Sequence, residues 1–237
     1  MTGVQTCALP ICEILKEESF IKFPLEDSMD IAKRVDIPKG TALNTAFLDN
    51  LFCSFVCINA KVPLIICGKP GCSKSFTIKI LFNSLQGKFS NDYLFKKLPR
   101  GYITSYQGAK TNTSESVLFA FNKARDIIKK YQGNMIDQII SLLFFDEIGL
   151  AEQSENNPLK VIHSQLEYDD NEYKIAFVGI SNWTLDASKM NRCVFLAILE
   201  PDEHNLKKTA KSIADSYKEG LDLKKENLTL LEELADV

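Results

Sequence analysis

Short, nearly uninterrupted apolar runs recur along this chain, separated by stretches in which apolar positions repeat at helical spacing. VPLIIC (62–67), IISLLFF (139–145), KIAFVGIS (174–181) and CVFLAIL (193–199) are runs of the first kind, and GYITSY (101–106) is a more polar one. A strand covered by helices on both faces loses in–out alternation, so these runs predict buried parallel strands. Phe47, Leu48, Leu51, Phe52, Phe55 and Val56 predict a helix between Thr45 and Asn59, and Val117, Phe121, Ala124, Ile128 and Tyr131 form the apolar stripe of another. A further helix is expected around Pro158–Tyr168, with proline in its first turn. The charged tail from Asp202 keeps Leu206, Ala210, Ile213, Ala214 and Tyr217 in register, and a second apolar set (Leu228, Leu231, Leu234) follows it. Strands alternating with helices argue for an α/β fold with helices on both faces of the sheet.

Composition narrows the class without naming a function. The 237 residues suffice for one large α/β domain, or for a domain plus part of a second. A net charge of −3 leaves no electrostatic footprint for nucleic acid or an anionic membrane, so any phosphate ligand must be held locally. No run of 18 apolar residues exists, and no membrane span is expected. The seven cysteines contain no C-x-x-C pair and the two histidines cannot complete ordinary zinc sets. Free thiols in a reducing compartment follow, with an intracellular, cytoplasmic location as the expectation.

The chemistry begins at GKPGCSKS, residues 68 to 75. It follows a strand and opens a helix, as a phosphate-binding loop G-x-x-x-x-G-K-[ST] must, but Ser73 stands where the second glycine belongs. Gly68, Lys69, Pro70, Gly71, Cys72, Ser73, Lys74 and Ser75 are the candidate nucleotide-binding residues. Pro70-Gly71 suits a turn with positive φ at the glycine. Lys74 supplies a point charge for the β- and γ-phosphates of ATP, and Ser75 a hydroxyl for Mg²⁺. Ser73 costs little if its φ is negative, where it also suits a helix cap, and much if its φ is positive. Spacing alone leaves the two cases open.

A second strand, LLFFDE, ends in acids. Asp146 is the candidate metal ligand with Ser75, and Glu147 the candidate general base for an attacking water. Asn182, after the strand KIAFVGIS, is placed to reach a γ-phosphate or that water, because ligands of open α/β sheets sit at the carboxyl ends of strands. Arg192, just before CVFLAIL, is either an arginine finger for a neighbouring module or a surface cation. His163 and Trp183 read as packing residues.

With these segments in order, the chain resembles an AAA+ ATPase, and more narrowly an AAA+ module of the mysterin family of giant RING-finger ATPases and ubiquitin ligases. IPKGTALNTAFLDNLF, VPLIICGKPGCSKSF, SYQGAKTNTSES, LLFFDEIGLAEQSENNPLKVIHSQLE and FVGISNWTLDASKMNRCVF carry the resemblance, over roughly residues 36–201. It implies a P-loop NTPase core with parallel strand order 5-1-4-3-2 and a C-terminal helical lid. Loops lacking the second glycine are a habit of these modules. The resemblance also implies Lys74 and Ser75 as phosphate and magnesium ligands, Asp146 and Glu147 as the Walker B acids, Asn182 as the first sensor, and Arg192 in the arginine-finger region. The implied cofactors are ATP and Mg²⁺, and the implied partners are neighbouring AAA+ modules in a ring, with ubiquitination machinery reached through the parent. No cysteine/histidine array for a RING is present in the sequence.

MTGVQTCALPI (1–11) resembles the in-frame translation of a sequencing-library adapter and is set aside from the fold. The expected organisation is then a flank over 12–35, an AAA+ core over 36–201 and an incomplete helical lid or linker over 202–237, all part of something longer. Two rivals accompany the ATPase: a module that binds ATP structurally without hydrolysing it, and a small-molecule kinase. Glu147 argues against the first. The second wants an acceptor pocket and a basic lid that the sequence does not offer.

Overall fold

Five strands lie side by side in parallel: β1 (Leu64–Cys67), β2 (Arg100–Gln107), β3 (Ile139–Asp146), β4 (Ala176–Ser181) and β5 (Val194–Ala197). Their order, β2-β3-β4-β1-β5, is the expected 5-1-4-3-2 read from the other edge. The computed structural model describes residues 27–131, 139–167, 173–190 and 192–218. Its helices are α1 (27–34), α2 (Thr45–Asn59), α3 (Lys74–Ser84), α4 (Tyr93–Lys97), α5 (Ser114–Tyr131), α6 (Ile148–Glu152), α7 (Lys160–Leu166), α8 (Ala187–Met190) and α9 (Glu203–Lys218). Residues 1–26, Tyr168 and the Leu228 set fall outside the described residues.

Because successive strand residues face opposite ways, β1 feeds two cores. Leu64 and Ile66 join Phe47, Leu51, Ile78 and Leu81 of α2 and α3 on one face. Ile65 joins Val117, Phe121, Leu143 and Phe177 on the other, where the Phe121 and Phe177 rings stack at 5.8 Å. The central strands β1 and β4 are buried throughout, as the apolar runs required.

Three readings of the pattern change. CVFLAIL was expected to be a buried strand, but β5 pairs only with β1 and leaves Val194 42% exposed. An edge strand keeps one flank without a neighbour, so apolar content alone does not bury it. On α2, Val56 is exposed whereas Asn50 and Ser54 are fully buried, so two polar residues occupy the core-facing stripe. On α9, Leu206 and Ile213 are exposed and Ala214 is buried. That helix lies against the loop before α2, where Lys208 Nζ donates to Leu43 O at 2.6 Å and Asn44 Nδ2 to Thr209 Oγ1 at 3.2 Å.

Candidate functional site

Strand β1 ends at Cys67, and the chain turns through the loop 68–73 before entering α3. Gly68 N–H donates to Ser181 O of β4 at 3.2 Å, anchoring the loop to the sheet. Gly71 takes φ +90°, as the turn pair implied. Ser73 takes φ 57° and ψ 17°, which is the costly case. A residue with a Cβ gives up about 1–2 kcal/mol in this left-handed region. Nor does its hydroxyl cap α3; only its carbonyl engages the helix, accepting from Thr77 N at 2.9 Å and Thr77 Oγ1 at 2.8 Å.

Lys74, at the start of α3, is 6% exposed. Its Nζ donates to Gly68 O at 2.6 Å, Lys69 O at 2.8 Å and Asn182 Oδ1 at 3.2 Å. Burial pulls its pKa below the ordinary lysine range, opposed by nearby acidic groups that include Glu147 and Asp146. Gly68 and Lys69 thus act through their carbonyls on Lys74. The Lys69 ammonium itself pairs with Glu200 at 2.6 Å on the exposed surface.

Strand β3 delivers Asp146 and Glu147 beside the loop. Ser75 Oγ lies 3.3 and 3.4 Å from the two Asp146 carboxylate oxygens. Glu147 sits in the left-handed region, φ 53° and ψ 41°, at the start of α6. From the end of β4, Asn182 Nδ2 donates to both of its carboxylate oxygens, at 2.8 and 2.9 Å. Lys74, Asn182 and Glu147 therefore form one hydrogen-bonded chain. Together with Ser73, Ser75 and Asp146 they line a cavity of about 340 Å³, within the size range of small-molecule sites.

A magnesium ion suits this donor set. Ser75 and Asp146 offer hard oxygens, and Mg²⁺ keeps several waters, so two protein ligands and a substrate phosphate suffice. No group of three or more His, Cys, Asp or Glu side chains suited to a metal exists among the described residues.

The family model of the RNF213 AAA domain matches residues 40–205, a span containing the loop, the acids, Asn182 and Arg192. The chain belongs to the RNF213 AAA domain family. It is 38% identical over 188 residues to the E3 ubiquitin-protein ligase RNF213 of Homo sapiens, covering 77% of this chain and 4% of that protein. The zebrafish (Danio rerio) E3 ubiquitin-protein ligase rnf213-beta is 35% identical over 193 residues, covering 78% and 4%. The chain thus spans a small fraction of these relatives' length. The mysterin family expected from the motifs is this RNF213 family. Among solved structures, the E. coli MS115-1 HORMA:CdnC:Trip13 complex shares the fold, with a TM-score of 0.50 and 15% identity over 81% of this chain and 62% of that one.

Two features of this RNF213-family site bear on residues outside the cavity. Arg192 is not among the cavity's lining residues. It precedes β5, the neighbour of β1, at the amino-terminal end of the strands, away from the loop at their carboxyl ends, and pairs with Glu167 at 2.5 Å on an open surface. The other feature is Gly108, which motif reasoning passed over. Gln107 is in register with Asp146, and Gly108 N–H donates to Asp146 O at 2.7 Å. A Cβ on Gly108 would lie 2.6 Å from the Glu147 carbonyl carbon and 3.1 Å from Asp146 O. A glycine closing a strand is the available signal, since it marks close backbone approach. Trp183 packs as expected, its ring 2.8 Å from where a Cβ on Gly149 would stand. No helix among the described residues is long and apolar enough to cross a membrane.

Proposed function

We propose that this module binds Mg-ATP, hydrolyses it, and moves against neighbouring modules as its nucleotide state changes. The carrying observation is the chain Lys74–Asn182–Glu147 set beside the Ser75–Asp146 pair in one cavity. Lys74, held by two loop carbonyls and Asn182, presents a fixed cation to the β- and γ-phosphates. Ser75 and Asp146 are the residues that would hold magnesium, which when bound would neutralise charge on the β- and γ-phosphates. Glu147 is the general base for water. Asn182 orients its carboxylate and, being bonded to Lys74 as well, senses what occupies the phosphate site. Membership of the RNF213 AAA domain family and the AAA+ fold support nucleotide binding.

The experiment separates binding from chemistry. Lys74→Ala removes the only cation lining the cavity among the described residues and is expected to abolish ATP binding by calorimetry. Glu147→Gln keeps binding and, in an assembly that turns ATP over, cuts the rate about 10²–10⁴-fold, the usual worth of a general base. Unchanged turnover in that variant would favour the module that binds ATP without hydrolysing it.

The chain's small share of its relatives' length supports a longer parent; as part of the same proposal, that parent carries several such modules in a ring and is cytoplasmic. Ubiquitination partners would then reach this module only through that parent. Arg192, outside its own cavity, is proposed to complete a neighbour's site.

A further inference from the structure

Asn50 lies midway along α2 with no exposed surface. Its Nδ2 donates to Cys72 O in the phosphate loop at 3.0 Å, while its Oδ1 has no hydrogen-bond partner. A carbonyl only accepts, so the amide's orientation is determined: nitrogen must face the loop. A buried acceptor left unmade costs stability. An apolar side chain of the same size would serve the core better, so packing does not account for this residue.

What the amide does is hold a peptide plane. In a trans peptide, the carbonyl of one residue and the N–H of the next point in opposite directions. With Cys72 O held on α2, the Ser73 N–H points away from that helix, and Ser73 lines the cavity. The same plane sets φ of Ser73, the 57° that a serine adopts only under constraint. The serine has no capping bond of its own to hold it there.

We infer that Asn50 is a positioning residue for the nucleotide site: its amide clamps the Cys72–Ser73 peptide so that a serine can occupy the left-handed position and offer its N–H to a phosphate. The inference rests on the nucleotide-binding reading above. It explains how a loop without its second glycine keeps the shape that glycine would otherwise permit.

The test is a double-mutant cycle in the 237-residue chain, with Mg-ATP titrated by calorimetry and unfolding followed by heat. Asn50→Leu removes both the donor and the unpartnered oxygen at similar volume, and Asn50→Ala serves if leucine does not fit. The expected result is a melting temperature within a few degrees of wild type and an affinity about tenfold weaker, the loss of roughly one good hydrogen bond's worth of binding. Ser73→Gly frees the left-handed position from its Cβ penalty. In that background the Asn50 variant should bind within about threefold of Ser73→Gly alone. Wild-type affinity in Asn50→Leu overturns the inference, as does a weakened affinity that Ser73→Gly does not restore. A wild-type chain that binds no nucleotide overturns the nucleotide reading and the inference together.

Discussion

Ser73 holds a conformation that its own side chain disfavours, directly before Lys74. The left-handed penalty of about 1–2 kcal/mol is set against roughly 0.4–1 kcal/mol of extra unfolded-state entropy that glycine would bring. Ser73→Gly should therefore stabilise the chain by up to about 1.6 kcal/mol, seen as a rise in thermal unfolding of ~2–4 °C for each kcal/mol gained, with ATP affinity unchanged. A fall in melting temperature would show that Ser73 gains something at this position beyond tolerating it. Glu147 occupies the same region of backbone space, φ 53°, within the same cavity. Two non-glycine residues in left-handed conformation at one cavity fit the general pattern of strain collected at functional sites. The letters GKPGCSKS identify the loop, but φ of Ser73 depends on what surrounds it, including Asn50, more than twenty positions earlier.

At the scale of elements, the site depends on the carboxyl ends of β2, β3 and β4 meeting in register. Tyr106 pairs with Phe145 and Gln107 with Asp146, which brings Gly108 against the backbone of the two acids. The atoms a Cβ would meet belong to main chain, so no rotamer change relieves the overlap. Gly108→Ala should destabilise the fold by about 1–3 kcal/mol and displace Glu147. Thermal unfolding measures the first effect. Steady-state kinetics measures the second, as a fall in kcat with KM for ATP much less affected. A variant with wild-type stability and turnover would mean that the strand ends separate freely. The central strands β1, β3 and β4 were readable from their apolar runs because both faces of each carry helices. The edge position of β5 was not, because its run is as apolar as a buried one and only the pairing partner distinguishes them.

For the whole molecule, Arg192 is the residue whose proposed role lies beyond this chain. Its guanidinium meets Glu167 on an exposed surface, a pair of small energetic value that a neighbouring site could displace. An arginine finger contributes about 10³–10⁵ in rate, so the isolated chain is expected to bind ATP and turn it over very slowly. Restoring neighbouring modules should raise turnover, and Arg192→Ala should then depress an adjacent site while ATP binding at its own remains intact. The check is a steady-state assay at concentrations where no oligomer persists. Vigorous turnover there would sink the trans-acting role.

The amino-acid sequence determined the alternation of strands and helices and the chemical inventory, because both are local; the order of the strands was legible only through the family resemblance. Apolar runs specify strands, helical spacing specifies the layers over them, and Lys74, Ser75, Asp146 and Glu147 are recognisable by type and by position, at a helix start and at a strand end, as candidates for phosphate and metal chemistry. Tertiary structure decided how those groups are held. Asn182 reaches Glu147 across 35 positions, Asn50 reaches Cys72 across 22, and Gly108 closes on the acids through strand pairing. Such contacts carry no periodic or compositional signature. A hydrogen bond is short-ranged in space and indifferent to separation along the chain, so it exists only once the sheet has brought its two ends together.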